Sequence, residues 1–211
     1  MTALLNLQLP SHALERAQAL MHSGRRALLG IAGTPGSGKS TVAHLLAAAL
    51  GTRAVVVPMD GFHLANQELV RIGRQTRKGA PDTFDVDGYR AALLRLRACE
   101  DDIVYLPQFA REIEEPIANA IPVSCEVQLV ITEGNYLLLP EGPWARIAEL
   151  FDDQWYVEVN SATRMARLVE RHQRYGRTRS QAQAWAETVD EPNACLIERY
   201  KDRADFVLPW D

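Results

Sequence analysis

Apolar runs alternate with longer mixed stretches along the chain. Five short apolar runs predict strands, and they are Ala27–Ala32, Ala54–Pro58, Val127–Thr132, Gln154–Val159 and Phe206–Leu208. Helical stretches are predicted between them. Strands that alternate with helices predict a three-layer α/β/α fold, in which helices cover both faces of a five-stranded parallel sheet. Ligands of such a fold bind at the carboxyl ends of the strands.

The helices are expected to begin near the N-terminus. Ser11 can cap a helix that runs to about His22, and the Ala/Leu-rich run Lys39–Leu50 stops at Gly51. Further helices are predicted at Gly88–Ala98, Trp144–Leu150, Ala162–Arg174, Ser180–Val189 and Asn193–Arg203. Ile103–Leu106 and Ile121–Ser124 predict a small hairpin inserted before the third strand.

Length and composition are those of one globular domain. The 211 residues contain no linker or repeat, so we expect a single domain over residues 1–211, with residues 1–25 as a helical extension. The net charge of −4 does not favour a nucleic acid partner. Residues 1–20 lack a basic segment and no apolar run is long enough for a membrane span, so we expect neither a signal peptide nor a membrane partner. Three widely spaced cysteines are either reduced thiols of a reducing compartment or core residues, and we expect a cytoplasmic protein. The oligomeric state, homodimer included, is left open.

A phosphate-binding loop follows the first predicted strand. The sequence GTPGSGKST matches G-x-x-x-x-G-K-[ST], and a chance match in a chain of this length is on the order of one in a hundred. Its glycines let backbone N–H groups surround phosphate oxygens, the lysine adds a positive charge, and the serine hydroxyl is a magnesium ligand. The residues expected to bind ATP are Gly33, Thr34, Pro35, Gly36, Ser37, Gly38, Lys39, Ser40 and Thr41.

Two acids follow predicted strands at the same edge of the sheet. Asp60 comes after AVVVPM, and Glu133 comes after LVIT. Either could be a turn residue, since Asp-Gly is a common turn pair. Because both follow buried strands, we expect them to meet beside the phosphate loop. We assign Asp60 as the base or hydroxyl-orienting group, and Glu133, together with Ser40, as a ligand of magnesium or of its water network.

Several segments together resemble a known family. They are GTPGSGKST, MDGFH, RKGAPDTFD, ITEGNYLLL, GRT and DEPNA, which lie between about residue 26 and the C-terminus. The chain is similar in these segments to the phosphoribulokinase/uridine kinase family and its bacterial pantothenate kinase relatives, with most likeness to the bacterial fructose transport system kinases. The resemblance implies a P-loop kinase core, an acceptor hydroxyl near Asp60 and a mobile arginine lid at about residues 171–180.

A run of arginines fits such a lid. Arg164, Arg167, Arg171 and Arg174 are spaced 3, 4 and 3 apart and share a helix face. Arg177 continues the run beyond the helix. A solvated face accounts for one or two of them, while arginine rather than lysine favours a phosphate clamp. We expect catalytic roles for Arg171 and Arg174 beside Lys39, and a nucleotide-binding role for Arg177.

The sequence defines the residues that bind the phosphate acceptor less precisely than those that bind ATP. The residues expected there are Asp60, His63, Arg77, Lys78, Arg111 and Tyr136. The basic cluster that contains Arg77 and Lys78 could meet an anionic acceptor, shield phosphates or form a flexible loop. Relatives commonly carry an acid where this chain has Ala110, so a sugar, a nucleoside and a pantothenate-like acceptor all remain open.

These residues predict an ATP- and magnesium-dependent kinase of a small alcohol. The alternatives are a P-loop ATPase and a nucleotide-sensing regulatory protein. Asp85–Gly88 matches D-x-x-G, but no N-K-x-D motif accompanies it, which argues against a GTPase switch. An ATPase motor commonly has an Asp-Glu pair after the third strand, where this chain has Thr132 and Glu133.

Overall fold

The computed structural model of the protein describes residues 8–210. The first seven residues of the predicted extension, and residue 211, lie outside the described residues. Helix α1 (Ser11–Leu20) buries Ala13 and Ala17 against the domain. Arg16 of this helix donates two hydrogen bonds to the Asp153 carboxylate, at 2.6 and 2.7 Å. The predicted helical extension is therefore part of the packed domain from residue 11 onward.

The main sheet has five parallel strands, as the sequence predicts. They are β1 (Ala27–Gly33), β2 (Ala54–Pro58), β5 (Leu129–Gly134), β6 (Asp153–Glu158) and β7 (Phe206–Pro209), in the spatial order β2-β5-β1-β6-β7. Every residue of β1 and β5 is buried. Both strands lack the apolar–polar alternation of a half-exposed strand because helices cover both faces of the sheet.

Seven helices accompany α1 in the described chain. They are α2 (Lys39–Leu50), α3 (Asn66–Arg71), α4 (Val86–Ala98), α5 (Ala145–Ala148), α6 (Ser161–Arg174), α7 (Arg179–Trp185) and α8 (Glu191–Glu198). Successive residues of a strand face opposite sides. In β1, Leu29 packs in one core with α1 and α2, and Leu28 packs in the other core with α4. This alternation confirms the three-layer architecture.

The predicted hairpin forms and is longer than expected. Strands β3 (Ile103–Ala110) and β4 (Glu115–Ser124) pair antiparallel as a separate two-stranded sheet. Val104 and Val123 face each other and are buried in the core that contains α4. The sequence under-predicts both strands because their outer halves contain proline, glutamine, alanine and asparagine instead of an apolar run.

The C-terminal helices differ from the prediction. The stretch Ser180–Val189 divides into α7 and a π-helical turn over Ala186–Asp190, and α8 begins at Glu191, with Pro192 in its first turn.

Two short helices elsewhere in the chain also differ from the prediction. Trp144–Leu150 contains only the short α5, and α3 was not predicted. Short helices carry too little periodic signal to be read from sequence. Within residues 8–210, no helix combines the length and apolarity needed to cross a bilayer.

Candidate active site

The ends of three adjacent strands bring the predicted site residues together. In the pairing of β2 with β5, Pro58 lies opposite Glu133, and in the pairing of β1 with β5, Ala32 lies opposite Gly134. The chain then leaves β2 toward Asp60 and leaves β1 into the phosphate loop. All of these segments emerge at one edge of the sheet, where ligands of open α/β sheets bind.

The phosphate loop is a tight turn that opens helix α2. Gly36 and Gly38 adopt positive φ angles of 81° and 93°. A Cβ atom at Gly36 would lie 2.9 Å from the carbonyl oxygen of Arg164, and one at Gly38 would lie 2.7 Å from the Trp210 ring. Helix α6 and the C-terminal strand region therefore press on the loop so closely that only glycine fits. The N–H groups at the start of α2 carry the positive end of its dipole.

Ser40 and Glu133 form the polar centre of the loop. The Ser40 hydroxyl donates to Glu133 Oε1 at 2.9 Å, and Glu133 is only 6% exposed. Burial raises the pKa of Glu133 and lowers the pKa of Lys39. A hydroxyl beside a carboxylate is a donor set that Mg²⁺ takes when substrate phosphates and water complete its shell. Among the described residues no group of three or more histidines, cysteines, aspartates or glutamates is placed to hold a metal ion.

Asp60 lies near Glu133 and Lys39 and is held by Arg111. Arg111 Nη2 donates to Asp60 Oδ2 at 2.9 Å. Burial acts to raise the pKa of Asp60, but the proximity of His63 first, and then of Arg111 and Lys39, outweighs burial and lowers the pKa. Asp60 is therefore ionised at neutral pH and is able to accept a proton or a hydrogen bond.

His63 lies next to Asp60 between two aromatic rings. Its ring centroid is 4.0 Å from that of Phe84 and 4.7 Å from that of Phe109. Its Nδ1 is 2.8 Å from the Asp60 carbonyl oxygen, which only accepts, so Nδ1 carries the proton. Burial lowers the pKa of His63, which favours the neutral ring. Its Nε2 is therefore a hydrogen-bond acceptor.

These groups line one cavity of about 470 Å³. This is the volume range of small-molecule sites. Predicted site residues that line it are Pro35, Lys39, Ser40, Asp60, His63, Lys78, Arg111, Glu133, Arg171 and Arg177. Burial lowers the pKa of Arg171, and the nearby positive charge of Arg111 acts in the same direction.

Nine other predicted residues lie outside the cavity lining. Six belong to the phosphate loop, and they are Gly33, Thr34, Gly36, Ser37, Gly38 and Thr41. The other three are Arg174, Arg77 and Tyr136. The Arg174 side chain is 70% exposed and pairs with Glu170 at 3.0 Å. Arg77 is exposed and pairs with Asp82 at 3.2 Å. Tyr136 is buried in the core, where its hydroxyl donates to the Gly79 carbonyl oxygen. These three side chains therefore do not line the cavity that contains Asp60.

Sequence reasoning missed several lining residues. They are Asn66, Gln75, Asn135, His172, Trp185 and Asp190. Asn66 Oδ1 accepts from Lys78 Nζ at 2.6 Å, while the buried Asn135 Oδ1 has no partner among the described residues. Asn135 and Asp190 belong to segments that carry the family resemblance, and this was the available signal. His172 and Trp185 gave no such signal. His172 lies on a helix rich in arginine, and Trp185 lies among apolar residues.

Comparison with known proteins agrees with this geometry. The family model described as Phosphoribulokinase / Uridine kinase family matches residues 28–210. A candidate uridine kinase of Schizosaccharomyces pombe is 34% identical over 92% of this chain and 87% of its own length. A pantothenate kinase of Leifsonia xyli subsp. xyli is 34% identical over 70% of this chain and 46% of its own length.

The solved structures agree as well. The crystal structure of a candidate fructose transport system kinase from Silicibacter sp. TM1040 superposes with a TM-score of 0.86 and 38% identity, over 96% of this chain and 100% of that one. With the phosphate loop, the acids at the strand ends and the parallel sheet in place, these matches identify the chain as a P-loop kinase, and it belongs to the phosphoribulokinase/uridine kinase family.

Proposed function

We propose that the protein is an ATP- and magnesium-dependent kinase that transfers the γ-phosphoryl group to a hydroxyl of a small metabolite. The observation that carries the proposal is the position of Asp60. Its ionised carboxylate lines the same cavity as Lys39, Glu133 and Arg171. A phosphoryl-transfer site needs cations around the phosphates and a carboxylate on the acceptor side, and both are present in one cavity.

The phosphate half of the cavity supplies positive charge. The backbone of the glycine-rich loop and the start of α2 bind phosphate oxygens, and Lys39 adds a cation. Ser40 and Glu133 are the residues that would hold magnesium, which when bound neutralises charge on the phosphates. Arg171 approaches from α6 and offers a planar set of donors to charge that develops on the transferred group.

The acceptor half supplies alignment and a base. An alcohol has a pKa far above neutral, so Asp60 acts by accepting its hydrogen bond and taking the proton as the new P–O bond forms. His63 Nε2 offers a second acceptor for a hydroxyl, and Lys78 offers a cation that is bonded to neutral oxygens. An array of acceptors and donors beside the Phe109 ring suits a small polar molecule with several oxygen atoms.

The test is a screen of small alcohols for acceptor-stimulated ADP release, with and without magnesium. We expect at least one sugar, nucleoside or hydroxy acid to stimulate turnover, and the phosphorylated product to be detected by mass spectrometry. Release of ADP and phosphate that no acceptor stimulates would instead support an ATPase. Binding of ATP without turnover would support a nucleotide sensor.

Two variants separate the kinase from the ATPase. Asp60→Asn keeps the shape of the side chain and removes its charge, so ATP affinity is retained while acceptor phosphorylation falls by about 10²-fold or more. An ATPase that activates water through Glu133 predicts the reverse, with Asp60→Asn mild and Glu133→Gln severe. Full acceptor-dependent phosphorylation in Asp60→Asn would show that Asp60 is a turn residue.

A further inference from the structure

The end of helix α6 holds Arg177 in a fixed backbone position. The Arg177 N–H donates to the His172 carbonyl oxygen at 3.1 Å, and the Gly176 N–H donates to the Gln173 carbonyl oxygen at 3.0 Å. Gly176 has a φ of 94°. These features form a Schellman motif, which ends a helix with a left-handed residue, usually glycine. The motif brings residues 172 and 177 together, and their side chains meet as well.

Arg177, His172 and Asp190 form a chain of hydrogen bonds at the wall of the cavity. Arg177 Nη1 lies 2.9 Å from His172 Nδ1, and His172 Nε2 lies 2.7 Å from Asp190 Oδ2. A guanidinium only donates, so Nδ1 accepts, and Nε2 of the neutral ring carries the proton and donates to Asp190. The carboxylate thereby selects the tautomer that has a free acceptor for Arg177.

Trp185 completes the arrangement. The guanidinium carbon of Arg177 lies 3.9 Å from the centroid of the Trp185 ring, within cation–π distance. Asp190 follows Trp185 by five residues and ends the π-helical turn. A π turn aligns residues five apart, whereas an α-helix would turn them to different sides. The irregular turn therefore brings the carboxylate and the ring to the same side of this segment.

We propose that His172 and Asp190 are positioning residues that hold Arg177 against Trp185 as a preformed clamp for the phosphates of ATP. The side chains of His172 and Asp190 are nearly buried, with 13% and 11% of their surface exposed. Neither residue is a sequence neighbour of the proposed base Asp60. Fixing one face and one nitrogen of the guanidinium leaves its other N–H groups for an anion. Such preorganisation lowers the entropic cost of binding. The inference rests on the proposed function only in taking ATP as the ligand.

The test compares two substitutions that each keep half of the imidazole. In His172→Asn the side-chain oxygen takes the position of Nδ1 and still accepts from Arg177. In His172→Gln the amide nitrogen takes the position of Nε2 and still donates to Asp190, but no acceptor faces Arg177. ATP affinity in the presence of magnesium is measured by calorimetry, which needs no acceptor alcohol, with His44→Gln on the exposed face of α2 as the matched control.

We expect Arg177→Ala and His172→Gln each to weaken ATP binding by about tenfold or more, the loss typical of a hydrogen bond to a charged group. His172→Asn should retain most of the affinity. The double variant His172→Gln/Arg177→Ala should be no weaker than Arg177→Ala, because both changes remove the same interaction. Melting temperatures within two or three degrees of the wild type, roughly the shift of a one kcal/mol change, establish that the variants fold.

Several results would overturn the clamp. Equal affinities for His172→Asn and His172→Gln, wild-type affinity in His172→Gln, or additive losses in the double variant would each do so. If His172→Asn fails to fold, Trp185→Leu replaces it. The clamp is supported if Trp185→Leu loses ATP affinity in the wild-type background and causes no further loss when Arg177→Ala is present. Any other result overturns the clamp. Absence of ATP binding in the wild type would refute both the clamp and the kinase, whereas ATP binding without phosphorylation of any alcohol refutes only the kinase.

Discussion

Arg111 and Asp60 are 51 residues apart in the sequence, yet Arg111 Nη2 donates to Asp60 Oδ2 at 2.9 Å. The hairpin places Arg111 there, since the residue follows the last residue of β3. The pair joins the phosphate-binding core to the hairpin. It also keeps the proposed base ionised, because positive charge favours the carboxylate form.

Replacing Arg111 should shift the pH dependence of the reaction. The pKa of Asp60 lies below that of an unperturbed aspartate, which is about 3.9. The carboxylate is therefore ionised at pH values above about 3.9 and becomes protonated only at lower pH. In Arg111→Met that pKa rises, and the acid limb of the profile of kcat/KM against pH moves to higher pH. Arg95→Met, which removes an exposed ion pair with Asp101, serves as the control. An acid limb that stays in place would contradict the coupling.

Lys39→Ala should abolish turnover and weaken ATP binding while the fold survives. Lys39 is the cation of the phosphate loop, and the loop backbone is held by its glycines, which the substitution leaves in place. Kinetics and calorimetry measure the two effects, and circular dichroism checks the fold. Lys201→Ala removes a lysine that pairs with Glu158 near the surface and should leave both constants unchanged. Unchanged ATP affinity and turnover in Lys39→Ala would refute the role.

Arg171→Lys should lower kcat more than it raises KM for ATP. Lysine keeps the charge and loses the planar fork that matches a phosphoryl group, so the loss is expressed in the transition state. Arg174→Lys tests the role expected from sequence. Because Arg174 is exposed and pairs with Glu170, we expect a smaller loss there than in Arg171→Lys. An unchanged kcat and KM in Arg171→Lys would show that the arginines of α6 form a solvated helix face without a catalytic role.

Gly61→Ala should disturb the hairpin. A Cβ atom at this position would lie 2.3 Å from the carbonyl oxygen of Pro107, so β3 must shift. Overpacking of this kind costs about 1–3 kcal/mol of unfolding free energy, and displacement of Arg111 should lower kcat/KM for the acceptor more than the affinity for ATP. Gly73→Ala is the converse case, because its Cβ would meet nothing within 4 Å while its φ of 69° strains the backbone, so the comparison shows the effect of strain without a clash. Chemical denaturation and steady-state kinetics measure both effects, and wild-type values in Gly61→Ala would contradict the prediction.

The elements that the sequence predicts correctly have strong local signals. The apolar runs of β1, β2 and β5 and the glycine-rich loop before α2 were sufficient to predict a parallel sheet with ligands at its strand ends. The order of the five strands could not be predicted, because it depends on which buried faces pack together and no local pattern records this. The π turn over Ala186–Asp190 was missed for a similar reason, since its sequence resembles ordinary helix.

The site was predictable to the extent that its residues follow strands. Asp60 and Lys39 follow the buried runs of β2 and β1, and Glu133 is the next-to-last residue of β5, so the topology alone brings them together. The contacts of Arg177 and Tyr136 depend on side-chain directions that no spacing reveals. Tyr136 turns into the core and Arg177 turns toward His172, although both lie within family-like segments.

The hairpin has a consequence for how this enzyme changes over evolution. It forms a two-stranded sheet of its own, without strand pairing to the five-stranded sheet, and it carries Phe109 and Arg111 to the acceptor side. The residues proposed to bind phosphate all lie on other segments. We therefore expect recognition of the proposed acceptor to diverge through substitutions at Phe109 and Arg111, while the segments proposed to bind phosphate stay unchanged.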